Sequence, residues 1–227
     1  MKKIIIFTFI LVLSIACSDF LDVKTRSSFA DDVVYSDPTL AEGAIMGIYN
    51  VIGENNSYRN RLWLQMGLNT DIEFRPGANG ETKINPSKAE DLISLYTANS
   101  DMGDGYNNED AANPWSRIYQ AIERANLCIK GIRKYGNPLV GTKMGHLLGE
   151  ALTLRAFFYY DLIKWWGDVP FRTEPVDENN LYIPKTKRAV IYDQIINDLK
   201  EAVNLLYPAG TDLTKTVKSI HKDAARG

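Results

Sequence analysis

The sequence is poor in the residues that ordinarily carry chemistry. Only two cysteines and two histidines occur in 227 residues. His146 and His221 have no partner at a ligand spacing, which removes the usual reason to expect zinc. No H-E-x-x-H, Walker or G-x-S-x-G pattern is present. A net charge of −2 offers nucleic acid no electrostatic footprint. With 45% hydrophobic and 24% charged residues, the composition indicates neither disorder nor a multi-span membrane protein.

What is present begins with an N-terminus unlike the rest. Lys2 and Lys3 precede an apolar run, Ile4 to Ala16, that is too short to span a bilayer comfortably and reads as a signal peptide over residues 1–16. Its end, "SIAC", resembles the lipobox of bacterial lipoproteins, with Leu13 one position further back than usual. On that reading Cys17 is lipidated, and several acyl chains on one residue hold a protein at a membrane without a transmembrane helix. Residues 17–36, polar and irregular, read as a tether. Cys128 is then left without a disulfide partner in the chain. It falls on an apolar helical stripe, so a small buried hydrophobe is expected rather than a nucleophile.

From residue 37 onward the pattern is helical. Asp37 is placed to cap and Pro38 to start a helix whose Ala41, Ile45, Ile48 and Ile52 recur at three-to-four spacing, with Gly53 expected to close it in a left-handed conformation. A second helix is read over about 61–68. Asn113 and Pro114 repeat the same start signal ahead of Trp115, Ile118, Ile122, Ala125, Ile129 and Ile132. The turn "GNPLVGTK" then leads into a longer helix over 144–166, implying an antiparallel pair. That helix carries Phe157, Phe158, Tyr159, Tyr160, Trp165 and Trp166, and is apolar on nearly every side. The periodicity predicts burial among several neighbours, with Arg155 and Asp161 as hydrogen-bond partners for its tyrosines and tryptophans. Gly167 and Pro170 end it. A further helix is expected over 186–207, and "VKSIHKDAARG" reads as the opening of another, so that the domain is expected to be incomplete at its C-terminal side.

Two polar loops interrupt the helices, at 69–87 and 99–114. Long loops in compact domains are often functional. The second holds Asp101, Asp104, Asn107, Glu109 and Asp110. These are oxygen ligands of the kind calcium takes, but their spacing does not fit an EF-hand, and a solvated acidic loop is the preferred reading.

Four stretches in order, "CSDFLDV", "DPTLAEGAIMGIYN", "WSRIYQAIERAN" and "LRAFFYYDLIKWWGDVPF", resemble the N-terminal half of the SusD/RagB family of surface lipoproteins. The resemblance implies an all-α, SusD-like fold with tetratricopeptide-like helix pairs over residues 37–227, incomplete at the C-terminus. It implies a lipid-anchored protein on the outer membrane that captures oligosaccharides and delivers them to a SusC-like TonB-dependent β-barrel, or peptides in the RagB branch. No cofactor, metal or catalysis is implied.

Sugar binding asks for aromatic faces together with polar groups that reach hydroxyls. The aromatic helix is read as core, so the candidate ligand residues are placed on the loops: Phe74, Arg75, Tyr96 and Tyr106, with Asp71 and Asn79 as polar contacts. Competing readings are a helical glycosidase fragment, which needs an acid and a base at a defined separation, a docking subunit, and a non-functional truncated remnant. Asp161 is the one carboxylate in an apolar setting, and hydrogen bonding within the core explains it without catalysis.

Overall fold

The computed structural model describes residues 30–59, 114–210 and 220–226. Its compact unit begins at Asp31. Among the described residues the helices are α1 (Asp31–Ser36), α2 (Pro38–Ile52), α3 (Pro114–Tyr135), α4 (Lys143–Trp166) and α5 (Arg188–Leu205). Two short strands, β1 (Val169–Pro170) and β2 (Lys185–Thr186), pair antiparallel between α4 and α5, with Val169 opposite Thr186. None of these helices is long and apolar enough to cross a membrane.

The helices start where local chemistry satisfies their first N–H groups. Asp37 Oδ1 accepts from the backbone N–H of Thr39 at 2.7 Å and of Leu40 at 3.1 Å, and Pro38 follows it. Those bonds hold the Asp37 carboxyl below the usual carboxylate range. Thr142 Oγ1 does the same for Gly145 N–H at the start of α4. α5 has no cap from its own N-cap residue, Lys187. Asp168 substitutes from across the strand pair, taking the N–H of Arg188 at 3.1 Å and the Lys187 ammonium at 2.8 Å.

Packing runs antiparallel through α3, α4 and α5. Trp115 at the start of α3 meets Trp166 at the end of α4, while Gly136 just beyond α3 meets Met144. Gly149, Arg155 and Tyr160 on α4 lie against Leu206, Asp198 and Tyr192 in turn. α2 lies against both α3 and α4, held by Glu54–Arg117, by Arg124 donating to Gly47 O, and by Lys143–Glu42. The core takes an apolar stripe from each of α2, α3 and α5 and most of the circumference of α4. It includes Ile45 and Ile48, Ile118, Ile122 and Ile132, Leu147, Leu152 and Leu162, and Ile191, with Phe158 and Tyr159 at its centre. Each of those aliphatic side chains contributes about 1.5–3 kcal/mol by leaving water.

Several expectations change. The irregular tether expected to reach residue 36 gives way to α1, a short helix held because the Tyr35 ring packs flat on Gly131, where any Cβ would collide with it. Gly53 closes α2 with a right-handed φ of −81°, its N–H donating to Asn50 O, so no left-handed residue is needed. Gly167 does take a positive φ, 74°, at the end of α4.

The tail over 220–226 forms turns rather than a helix; Ile220 N–H donates to the Tyr49 hydroxyl and Lys222 N–H to Tyr207 O, and the N–H groups of Ala224 and Arg226 close local turns on His221 O and Asp223 O. The aromatic helix is not covered on every side. Phe157 is 39% and Tyr160 45% exposed, and Trp165 is exposed as well, because the described residues cover that face only in part, with Tyr58 against Phe157 and Tyr192 against Tyr160. The expected helix at 61–68 and the cap Asn113 lie outside the described residues.

Candidate ligand-binding surface

All six loop residues singled out from the sequence, Asp71, Phe74, Arg75, Asn79, Tyr96 and Tyr106, lie outside the described residues, as do Cys17 and the acidic stretch at 101–110. The described residues that flank 60–113 in the chain are Tyr58 and Arg59 before it and Pro114 and Trp115 after it. Tyr58 and Trp115 both contact the aromatic end of α4. On the leading side, the Tyr58 hydroxyl donates to Asp161 Oδ2 at 2.6 Å, and the Tyr58 ring lies 5.3 Å from Phe157 and 6.0 Å from Phe158. On the returning side, Trp115 packs edge-on against Trp166 at 5.3 Å and beside Tyr119 at 4.9 Å.

Asp161 therefore belongs to an anchor. Burial raises its pKa above the ordinary value, opposed by the bond from Tyr58 and by Lys164. Burial also raises the Tyr58 hydroxyl pKa, reinforced by the Asp161 charge, so the phenol stays protonated and donates. The expected role of Arg155 and Asp161 as partners for the tyrosines of α4 is corrected in detail. Tyr159 instead exchanges two hydrogen bonds with the backbone of Arg172, accepting from its N–H and donating to its C=O, both at 2.9 Å.

Arg155 is buried and fully engaged elsewhere. Its Nε and Nη2 clasp the Asp198 carboxylate, both at 2.8 Å, and Nη1 donates to Asn126 Oδ1 and Thr173 O. Asn126 in turn donates to the carbonyls of Arg172 and Glu174. Glu123 accepts the N–H of Val176 through both oxygens. Together these bonds lash the stretch 172–176 to α3.

Two recesses adjoin this end. One is an apolar groove of about 690 Å³ between α2, α4 and α5, floored by Phe157, Tyr160 and Tyr192 and edged by Tyr49 and Ile220. The other is a hollow of about 400 Å³ between the first turns of α3 and the 170–176 strap, walled by Trp115, Tyr119, Gln120, Pro170 and Arg172. Sequence reasoning anticipated neither, since it read the aromatic helix as core; the second offered a clue. Its one local signal was Tyr119, an aromatic residue beside the apolar stripe of α3. Among the described residues no group of His, Cys, Asp or Glu could hold a metal. Cys128 is buried against the Tyr35 hydroxyl, and burial pushes its thiol up to about 12.

A bundle of antiparallel helix pairs with tilted and edge-on aromatic contacts at the end of α4 defines an all-α helical scaffold. The chain belongs to the SusD-like_3 family, described as "Starch-binding associating with outer membrane", whose model matches residues 19–226. Similar curated proteins include SusD-like protein P25 of Formosa agariphila, 24% identical over 207 residues, and SusD-like protein P38 of the same organism, 27% identical over 223 residues. The matches cover 88% and 94% of this chain but 37% and 40% of those relatives, so the chain spans about two fifths of their length.

Among solved structures, a laminarin-binding SusD-like protein superposes with a TM-score of 0.65 at 22% identity, covering 85% of this chain and 39% of that one. A SusD homologue from Bacteroides thetaiotaomicron gives 0.66 at 20% identity, covering 89% and 37%. At these identities the superpositions establish the all-α, SusD-like fold.

Proposed function

We propose that this protein is a non-catalytic, carbohydrate-binding lipoprotein of the outer membrane. Cys17 carries its lipid anchor, and it captures oligosaccharides for a SusC-like TonB-dependent β-barrel. The observation that carries the reading is the family match over residues 19–226, whose description joins starch binding to the outer membrane. The laminarin-binding protein of the same fold supports a glucan as the class of ligand.

Physically, the work is divided between scaffold and surface. α4 holds Tyr58 and Trp115 on the scaffold, and the contacts are made by loop side chains, for which Phe74, Arg75, Tyr96, Tyr106, Asp71 and Asn79 stand as candidates. Stacking on aromatic faces and hydrogen bonds to hydroxyls suffice for capture. No reacting carboxylate pair is required.

The test is affinity electrophoresis through gels containing soluble starch or laminarin, run beside a peptide-pool competition, with detergent extracts probed for a co-purifying β-barrel. Retardation in a glucan gel that peptides do not relieve is expected. Retention by peptides alone would replace this reading with a RagB-type one.

A further inference from the structure

The hollow beside Trp115 has the chemistry of a sugar seat. A pyranose ring presents an apolar C–H face and a rim of hydroxyls, so its site needs an aromatic wall next to fixed polar groups. The rings of Trp115 and Tyr119 lie 4.9 Å apart at 57° and form a concave aromatic corner. The Tyr119 hydroxyl donates to Pro170 O at 2.7 Å, which fixes the ring and leaves its oxygen as an acceptor. Burial raises the pKa of that hydroxyl, so it stays neutral.

Gln120 Oε1 receives a bond from Arg117 at 3.1 Å, which leaves the amide NH₂ to donate. Arg172 Nη2 is spent on Leu181 O at 2.9 Å, while its Nε is buried with no hydrogen-bond partner. That nitrogen is closed off from the hollow, so Arg172 serves there as wall and not as a donor to a ligand. The volume, about 400 Å³, falls at the lower end of the range for small-molecule sites. The larger groove floored by Phe157 and Tyr160 is walled mainly by apolar side chains, which offer few partners for a sugar's hydroxyls.

We propose that this hollow is a subsite for a single sugar unit of a bound glucan, its ring face on Trp115 and Tyr119 and its hydroxyls toward the Gln120 amide and the Tyr119 oxygen. The inference rests on the carbohydrate-binding reading above. It adds contact residues on α3 and the 170–176 strap to the loop candidates.

The experiment is isothermal titration of the full chain, of Gln120→Ala and of Val176→Trp with maltohexaose and laminarihexaose. Val176 stands on the rim and is exposed, so an indole there fills the hollow without entering the core. Circular dichroism and thermal unfolding of each variant check the fold. The expected result is wild-type binding with about a tenfold or greater loss in Val176→Trp and a smaller loss in Gln120→Ala, at unchanged unfolding temperature. Wild-type binding that Val176→Trp leaves intact overturns the subsite while the carbohydrate reading stands. Failure of the wild-type chain to bind either oligosaccharide overturns both.

Discussion

Replacing Arg155 by Met should be among the most damaging single changes available in this fold. The side chains of Arg155 and Asp198 are 3% and 4% exposed, and they meet through two bonds of 2.8 Å. Truncating the cation leaves the Asp198 carboxylate with one remaining donor, Gln194 Nε2 at 2.8 Å. It also strips Asn126 Oδ1 and Thr173 O of their partner. Breaking a buried pair from one side costs about 3–5 kcal/mol, mostly as an uncompensated charge in a dry interior. For a domain of this size that lowers the unfolding temperature by about 6–20 °C.

The assay is thermal and urea unfolding followed by far-UV circular dichroism at pH 7. Arg155→Met, Asp198→Leu and the double variant together separate charge burial from packing. The double variant carries no stranded charge and should cost clearly less than the sum of the two singles. A loss under about 1 kcal/mol for Arg155→Met, or strict additivity, would refute the reasoning.

Three further outcomes follow from the same geometry. Gly131→Val should drive Tyr35 out of its seat, release α1 and expose a cleavage site near 31–36 to limited proteolysis, at a cost of about 1–3 kcal/mol; an unchanged digestion pattern would count against the α1 packing. In a Cys17→Ser variant, Cys128, with its thiol raised to about 12, should react with a disulfide reagent only after denaturant is added. Asp161 should leave a signature in pH dependence. Its pKa is raised from 3.8, so just above that value the folded state holds more protons than the unfolded one, and the Asp161 contribution falls as pH rises through the window. Asp161→Asn removes that slope, so its urea midpoint should gain on wild type as pH rises from about 4; parallel curves would contradict the assignment.

How much could be read from the chain depended on whether the signal was local. α2, α3 and α4 were legible because a capping side chain, a proline at the first turn or an apolar residue every three or four positions is written in consecutive residues. Phe157 and Tyr160 misled, because periodicity measures how apolar a face is and not whether another element covers it. α1 was invisible for the opposite reason: six residues with little stripe are held by one ring on one glycine, Gly131, far along the chain. The hollow at Trp115 was equally hidden, since its walls come from 115–120 and 170–176 and are brought together by bonds from Tyr119, Glu123, Asn126, Arg155 and Tyr159 to the strap. The family resemblance, by contrast, rested on contiguous stretches and was readable at once.

The central claim is that the protein holds carbohydrate without altering it. Equilibrium dialysis of the chain against labelled maltohexaose and laminarihexaose, followed by chromatography of the recovered sugar, tests both halves together. The account predicts saturable uptake of at least one of the two and recovery at full length. Absence of uptake, or recovery of shortened products with new reducing ends, would contradict it.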